Sequence, residues 1–79
     1  MKQEMIELLR EFIERDFTAH EMREVMEVLD DLHEYKHEIE LQGRREASER
    51  DWIHYEQALI EARQCLDGYG INRKLEDLI

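Results

Sequence analysis

Apolar residues recur at intervals of three and four along three stretches of this chain, and no proline interrupts any of them. An α-helix turns about 100° per residue, so that spacing gathers each set along one side of a helix. Met5, Leu8, Leu9, Phe12 and Ile13 form the first set. Met22, Val25, Leu29, Leu32 and Ile39 form the second, widened by Met26, Val28 and Tyr35. The third is Trp52, Tyr55, Leu59, Ala62 and Leu66. Glu, Leu, Arg, Met and Ala, all good helix formers, are abundant. The chain therefore reads as all-α, a small bundle of three helices plus a short C-terminal one in a single domain over 1–79. The expected helices cover about 3–15, 19–41, 49–67 and 73–79.

The boundaries are written in cap residues. Thr18 can accept from the amide of Glu21 while Glu21 reaches back to Thr18, a reciprocal cap, and Phe17 before it can pack on Met22. The connector ahead of this cap is short, which predicts a helical hairpin at the N-terminus with the first helix on the apolar arc of the second. Gly43, followed by Arg44 and Arg45, suits a helix end, although helices two and three could also run on as one rod at a cost of about 1 kcal/mol for the internal glycine. Ser48 with Asp51 three residues later favours a fresh start and a break. Gly68 is placed to end the third helix in the left-handed conformation, and Gly70 gives further freedom. Asn72 then caps a last turn whose Leu75, Leu78 and Ile79 are expected to dock beside Ile53 and Ile60.

A core of this size supplies only about 3–5 kcal/mol by itself. The lone Cys65 excludes an internal disulfide. Tight packing, a metal or a second copy of the chain are the remaining aids. Ile53 and Ile60 fall about 120° from the main stripe of the third helix, too far for one hairpin to cover both. This predicts a homodimer whose surface holds Ile53 and Ile60, with Trp52 at its edge.

The net charge of −10 opposes direct contact with nucleic acid or an anionic membrane, both themselves negative, and favours a basic partner. Glu4 and Glu7 interrupt any secretory apolar run, no stretch is apolar enough to span a bilayer, and a single thiol suits a reducing cytoplasm. Residues 1–42 carry 13 acids and 5 bases, a balance of −8, against 8 and 6, a balance of −2, in residues 43–79. The acids of the first half form rows. Glu4, Glu7, Glu11 and Glu14 follow one line of helix one, and Glu24, Glu27, Asp31, Glu34 and Glu38 follow one line of helix two. Like charges one turn apart repel by about 0.2–0.5 kcal/mol per pair, and a merely solvated face normally mixes in lysines. Both rows are therefore candidate partner-binding residues, against the plainer reading that they only keep the chain soluble.

Catalytic and metal motifs are weaker. His33-Glu34-Tyr35-Lys36-His37 has the H-E-x-x-H spacing that lets two histidines on one helical turn share zinc. Asp30, Asp31, Lys36 and Glu38 crowd it, and no third ligand follows at the metzincin spacing, so proteolysis is not expected. His33 and His37 remain weak metal candidates, with Asp51 and His54 repeating a carboxylate-x-x-His spacing on helix three. Cys65 has no histidine at helical contact spacing to activate it. Trp52 and Tyr55 lack the surrounding cations that base stacking needs. Gly68-Tyr69-Gly70 lacks the spacing of a phosphate loop.

The sequence reading is thus a non-enzymatic, acidic protein-binding regulator without a cofactor. It would mask a basic surface of a partner protein, as an inhibitor that mimics nucleic acid. Its alternative is a small helical assembly chaperone or adaptor that covers a partner helix with the apolar stripes of helices one and three. A metal-binding bundle stands third.

Overall fold

The computed structural model describes residues 2–79. Its helices are α1 (Gln3–Glu14), α2 (Ala19–Gln42), α3 (Glu49–Gly68) and α4 (Leu75–Leu78), with no strand among the described residues. Each long helix buries part of its apolar set. Leu8 and Phe12 of α1, Val25, Leu29 and Leu32 of α2, and Ala58, Ala62 and Leu66 of α3 meet Ile71, Leu75 and Leu78 in one core cluster. Among the described residues no polar or charged one is buried with them.

α2 and α3 make the most extensive helix pair. They run antiparallel: Tyr35 faces His54 with ring centroids 5.5 Å apart, while Glu24 near the start of α2 meets Tyr69 just past the end of α3. Ala58 and Ala62, one turn apart, carry almost no side chain and let the two backbones come close. The chain does break at Gly43. Its φ of 88° suits glycine, and the amides of Glu46 and Ala47 donate to its carbonyl at 3.0 and 2.9 Å. Ser48 then caps α3 by accepting from the Asp51 amide at 3.2 Å.

The start of α2 has the expected reciprocal cap. Thr18 Oγ1 accepts from the Glu21 amide at 3.1 Å, and the Thr18 amide donates to Glu21 Oε1 at 2.8 Å. Ahead of it, α1 ends in a Schellman turn: Phe17 N–H donates to the Phe12 carbonyl at 2.9 Å and Asp16 N–H to that of Ile13 at 3.2 Å, with Asp16 at φ 55°. The Phe12 and Phe17 rings pack with centroids 5.1 Å apart, closing the turn with an apolar contact.

α3 ends the same way, but not at the glycine expected. Gly68 stays helical; Gly70, at φ 68°, is the left-handed residue, with Ile71 N–H donating to Leu66 O at 2.8 Å and Gly70 N–H to Asp67 O at 3.0 Å. The reason is packing: this register sets buried Ile71 against buried Leu66, the apolar contact such a turn requires.

The C-terminal stretch also departs from expectation. Lys74, not Asn72, precedes α4, which spans only four residues. Leu75 and Leu78 enter the core, whereas Ile53 and Ile60 remain 45% and 56% exposed. Two arginines direct the tail. Arg63 donates to the carbonyls of Ile71 and Arg73 at 3.1 and 3.0 Å while paired to Asp67 at 2.9 Å. Arg73 reaches over to α1, within 3.4 Å of Glu4 and Glu7 and 3.1 Å of Glu11. With the acidic flank of α1 drawn to Arg73, Leu8 and Phe12 point inward, and Leu9 and Ile13, expected in the core, stand 36% and 76% exposed.

The result is a rod of 43 × 22 × 19 Å, with a radius of gyration of 13.5 Å against about 11.6 Å for a compact chain of this length. α2 is about 36 Å long and α1 about 18 Å, so α1 can cover only half of it. Beyond that half the molecule is a two-helix arm, in which Ile39 is buried outside the main cluster beside Trp52 and Tyr55.

Candidate functional site

Burial of Val25, Leu29 and Leu32 fixes the rotation of α2 and aims the opposite side outward. Glu27, Asp31, Glu34 and Glu38 fall within about 60° of one another on that side. All four are exposed, and none takes part in an ion pair among the described residues. They leave an uninterrupted carboxylate row along about 16 Å of helix. Among the described residues the one ion pair on α2 is elsewhere, between Lys36 and Glu40 at 4.0 Å.

Glu24, the first member of the expected row, is set apart. It lies on the flank facing α3 and accepts a hydrogen bond from the Tyr69 hydroxyl. That bond, together with burial and the Glu24 charge, pushes the Tyr69 phenol up to about 12. Glu24 thus serves the joint between α2 and the end of α3.

The α1 row has a different fate. Glu4, Glu7 and Glu11 converge on Arg73, and Glu11 also pairs with Arg15 at 2.8 Å. Their charge is used to hold the tail. Glu14 lies outside this cluster and is exposed. The two rows, alike in sequence, are therefore different objects: one closes the bundle and the other faces solvent. Arg73, which makes the distinction, lies more than sixty residues from the acids it gathers, and no local pattern announces it.

His33 and His37 stack with parallel rings, centroids 6.3 Å apart, and no group of three His, Cys, Asp or Glu side chains suited to a metal is found among the described residues. Asp51 is occupied at the α3 cap, where its hydrogen bond from the Ser48 hydroxyl holds its carboxyl below the usual range. Burial, reinforced by the Glu24 carboxylate, pushes the Cys65 thiol up, which leaves it mostly protonated and a poor nucleophile.

The residues expected to mediate self-association are not all brought together. Trp52 turns toward α2, edge-on to Tyr55 with centroids 6.1 Å apart, in a small cleft with Lys36, Ile39 and Arg44. Ile53 and Ile60 lie on the outer line of α3. Ile60 also lines a groove between α3 and the tail with Leu59, Arg63 and Leu75, so Leu75 does come beside Ile60 as expected, but the groove stays open and Ile53 lies outside it. No helix among the described residues is long and apolar enough to cross a membrane.

Compared with protein-family models, curated proteins and solved structures, the chain matches none.

Proposed function

We propose that this is a non-enzymatic, acidic binding protein that masks a basic surface of a partner protein in a reducing cytoplasm, acting as an inhibitor that presents carboxylates where the partner takes nucleic-acid phosphates. The observation that carries the reading is the contrast between the two acidic rows. Glu4, Glu7 and Glu11 gather on Arg73 within the fold, whereas Glu27, Asp31, Glu34 and Glu38 are exposed and have no ion-pair partner among the described residues. Four such carboxylates repel one another and add nothing to the core. A cationic groove on a partner would relieve that repulsion and would be found quickly through long-range attraction.

The test is capture of partners from the native cell with the wild-type chain and with the triple reversal E27K/D31K/E34K, at about 50 and 200 mM salt. Basic proteins are expected on the wild type at low salt and absent from the variant. The same proteins retained by both baits at both salt concentrations would overturn the proposal. The adaptor reading draws support from a different observation, the exposed Ile13, Ile53 and Ile60. It expects capture that survives the reversal and is indifferent to salt, because burial of a partner helix is not screened.

A further inference from the structure

The apolar groove between α3 and the tail offers a surface unrelated to the carboxylate row of α2. Leu59, Ile60 and Leu75 line about 480 Å³ of open groove, with Arg63 and Lys74 on its border. Leu59 is 37% and Ile60 56% exposed, and Ile53 extends the apolar line two turns back along α3 at 45% exposure. In a chain of net charge −10 this patch is close to balance: Arg63 and Lys74 stand with Glu56, Glu76 and Asp67, to which Arg63 is already paired. Neither Glu56 nor Lys74 has an ion-pair partner among the described residues.

We propose that the occupant is a second copy of this chain, bound through an antiparallel α3–α3 contact with Ile60 at its centre. The spacing of charges supports a two-fold arrangement. When two identical helices pack antiparallel about a two-fold axis, the same flank of each meets the same flank of the other. Glu56 and Arg63 both lie about 40–60° to one side of the Ile60 line. An axis passing between Leu59 and Ile60 puts each of them about 5 Å along the helix, in opposite directions, so Glu56 of one copy faces Arg63 of the other. Lys74 lines the same groove from the tail, across from Arg63 on α3, and adds a second cation to the flank that Glu56 of the other copy approaches. The contact is made twice, and Ile60 of each copy enters the apolar groove of the other. A stable interface takes about 600 Å² from each partner, about a tenth of the 5726 Å² this chain exposes. No acid of the exposed α2 row lines this groove, which keeps the repulsion between those rows away from the contact.

Sedimentation velocity over a micromolar concentration series on the full chain reads the association directly, with circular dichroism as the fold check. The wild type is expected at twice the chain mass. Ile60→Glu, at a position already exposed, should keep its helicity and weaken association by about a hundredfold or more, since it sets a carboxylate into the apolar centre. Glu56→Lys should weaken it roughly tenfold, because the new lysine faces Arg63 and Lys74 at both symmetry-related contacts; Lys74→Glu, which leaves Glu56 facing Arg63, should weaken it less. In the mixed pair one contact is that of the wild type and at the other the new lysine gains the new carboxylate beside Arg63, so the mixture should form a heterodimer tighter than either variant alone. A wild type that stays monomeric, an Ile60→Glu chain that still dimerises, or a mixture no tighter than its components would each overturn the proposal.

Discussion

Asp16 holds the only left-handed backbone among the described non-glycine residues, at φ 55°. L-residues resist this conformation, aspartate less than most, but here its negative charge also sits at the carbonyl end of α1, where the helix dipole disfavours it. Gly70 makes the same turn after α3 without either cost. Asp16→Gly should therefore raise stability by about 0.5–1 kcal/mol, despite the freedom that glycine adds to the unfolded chain, read as a higher urea midpoint at unchanged slope. Two other residues set opposite pH limits. Glu21 has its carboxyl lowered from 4.5, first by the hydrogen bond from the Thr18 backbone, so its contribution is complete above that value and is lost as pH falls through the lower, folded one. Tyr69 is raised from 10.0 to about 12 by its bond to Glu24. The folded state holds that proton longer than the unfolded chain, so the contribution is complete below pH 10 and fades as pH rises toward about 12. Urea midpoints followed from about pH 9 to about pH 11 should fall less in Tyr69→Phe than in the wild type. An equal fall in both would remove the Glu24 bond from the account.

The tail is the element most dependent on a single side chain. Replacing Arg73 with Gln leaves Glu4, Glu7 and Glu11 facing one another without their cation. The three contacts are only part-buried, so the expected loss is about 1–2 kcal/mol rather than the larger cost of breaking a buried pair. It should be local: amide exchange is expected to accelerate at Leu75 and Leu78 before it changes within α2. Uniform acceleration across the chain would mean that the tail is part of the cooperative core. This dependence also explains what could be read from the sequence. Thr18–Glu21 and Ser48–Asp51 are local devices, each contained in four residues, and the elements they start were legible. The roll of α1 and the path of the tail were not, because both depend on contacts distant in sequence, Arg73 with acids more than sixty positions away among them. Leu9 and Ile13 fitted the helical period as well as Leu8 and Phe12 did, and only the packing of the whole bundle separates the two pairs. The α2 row was legible as a row, but its separation from the α1 row was not, since spacing records which carboxylates align and not which find a cation.

At the scale of the whole molecule, charge and shape act together. A chain of net charge −10 drawn into a 43 Å rod repels itself along its length, most strongly along the outer side of α2. Added salt should therefore raise the stability of the isolated protein. Reversing Glu27, Asp31 and Glu34 to Lys changes the net charge from −10 to −4 and alters contacts one turn apart along α2. The pairs 24/27, 27/30, 30/34 and 34/38 pass from repulsion to attraction, 23/27 passes from attraction to repulsion because Arg23 stands one turn before Glu27, and 27/31 and 31/34 remain repulsive between lysines. At about 0.2–0.5 kcal/mol for each such contact, and with mutual screening among so many charges, the variant should gain about 1 kcal/mol. It should also respond less to salt than the wild type. Urea midpoints of both chains across a salt series measure this without any partner present. The outcome bears on what the row is for. A variant more stable than the wild type would show that these acids lower folding stability, as expected of residues kept for contact with something outside the fold. A variant less stable, with an unchanged helical spectrum, would assign Glu27, Asp31 and Glu34 a structural part instead, and would move the search for the partner surface to the outer side of α3.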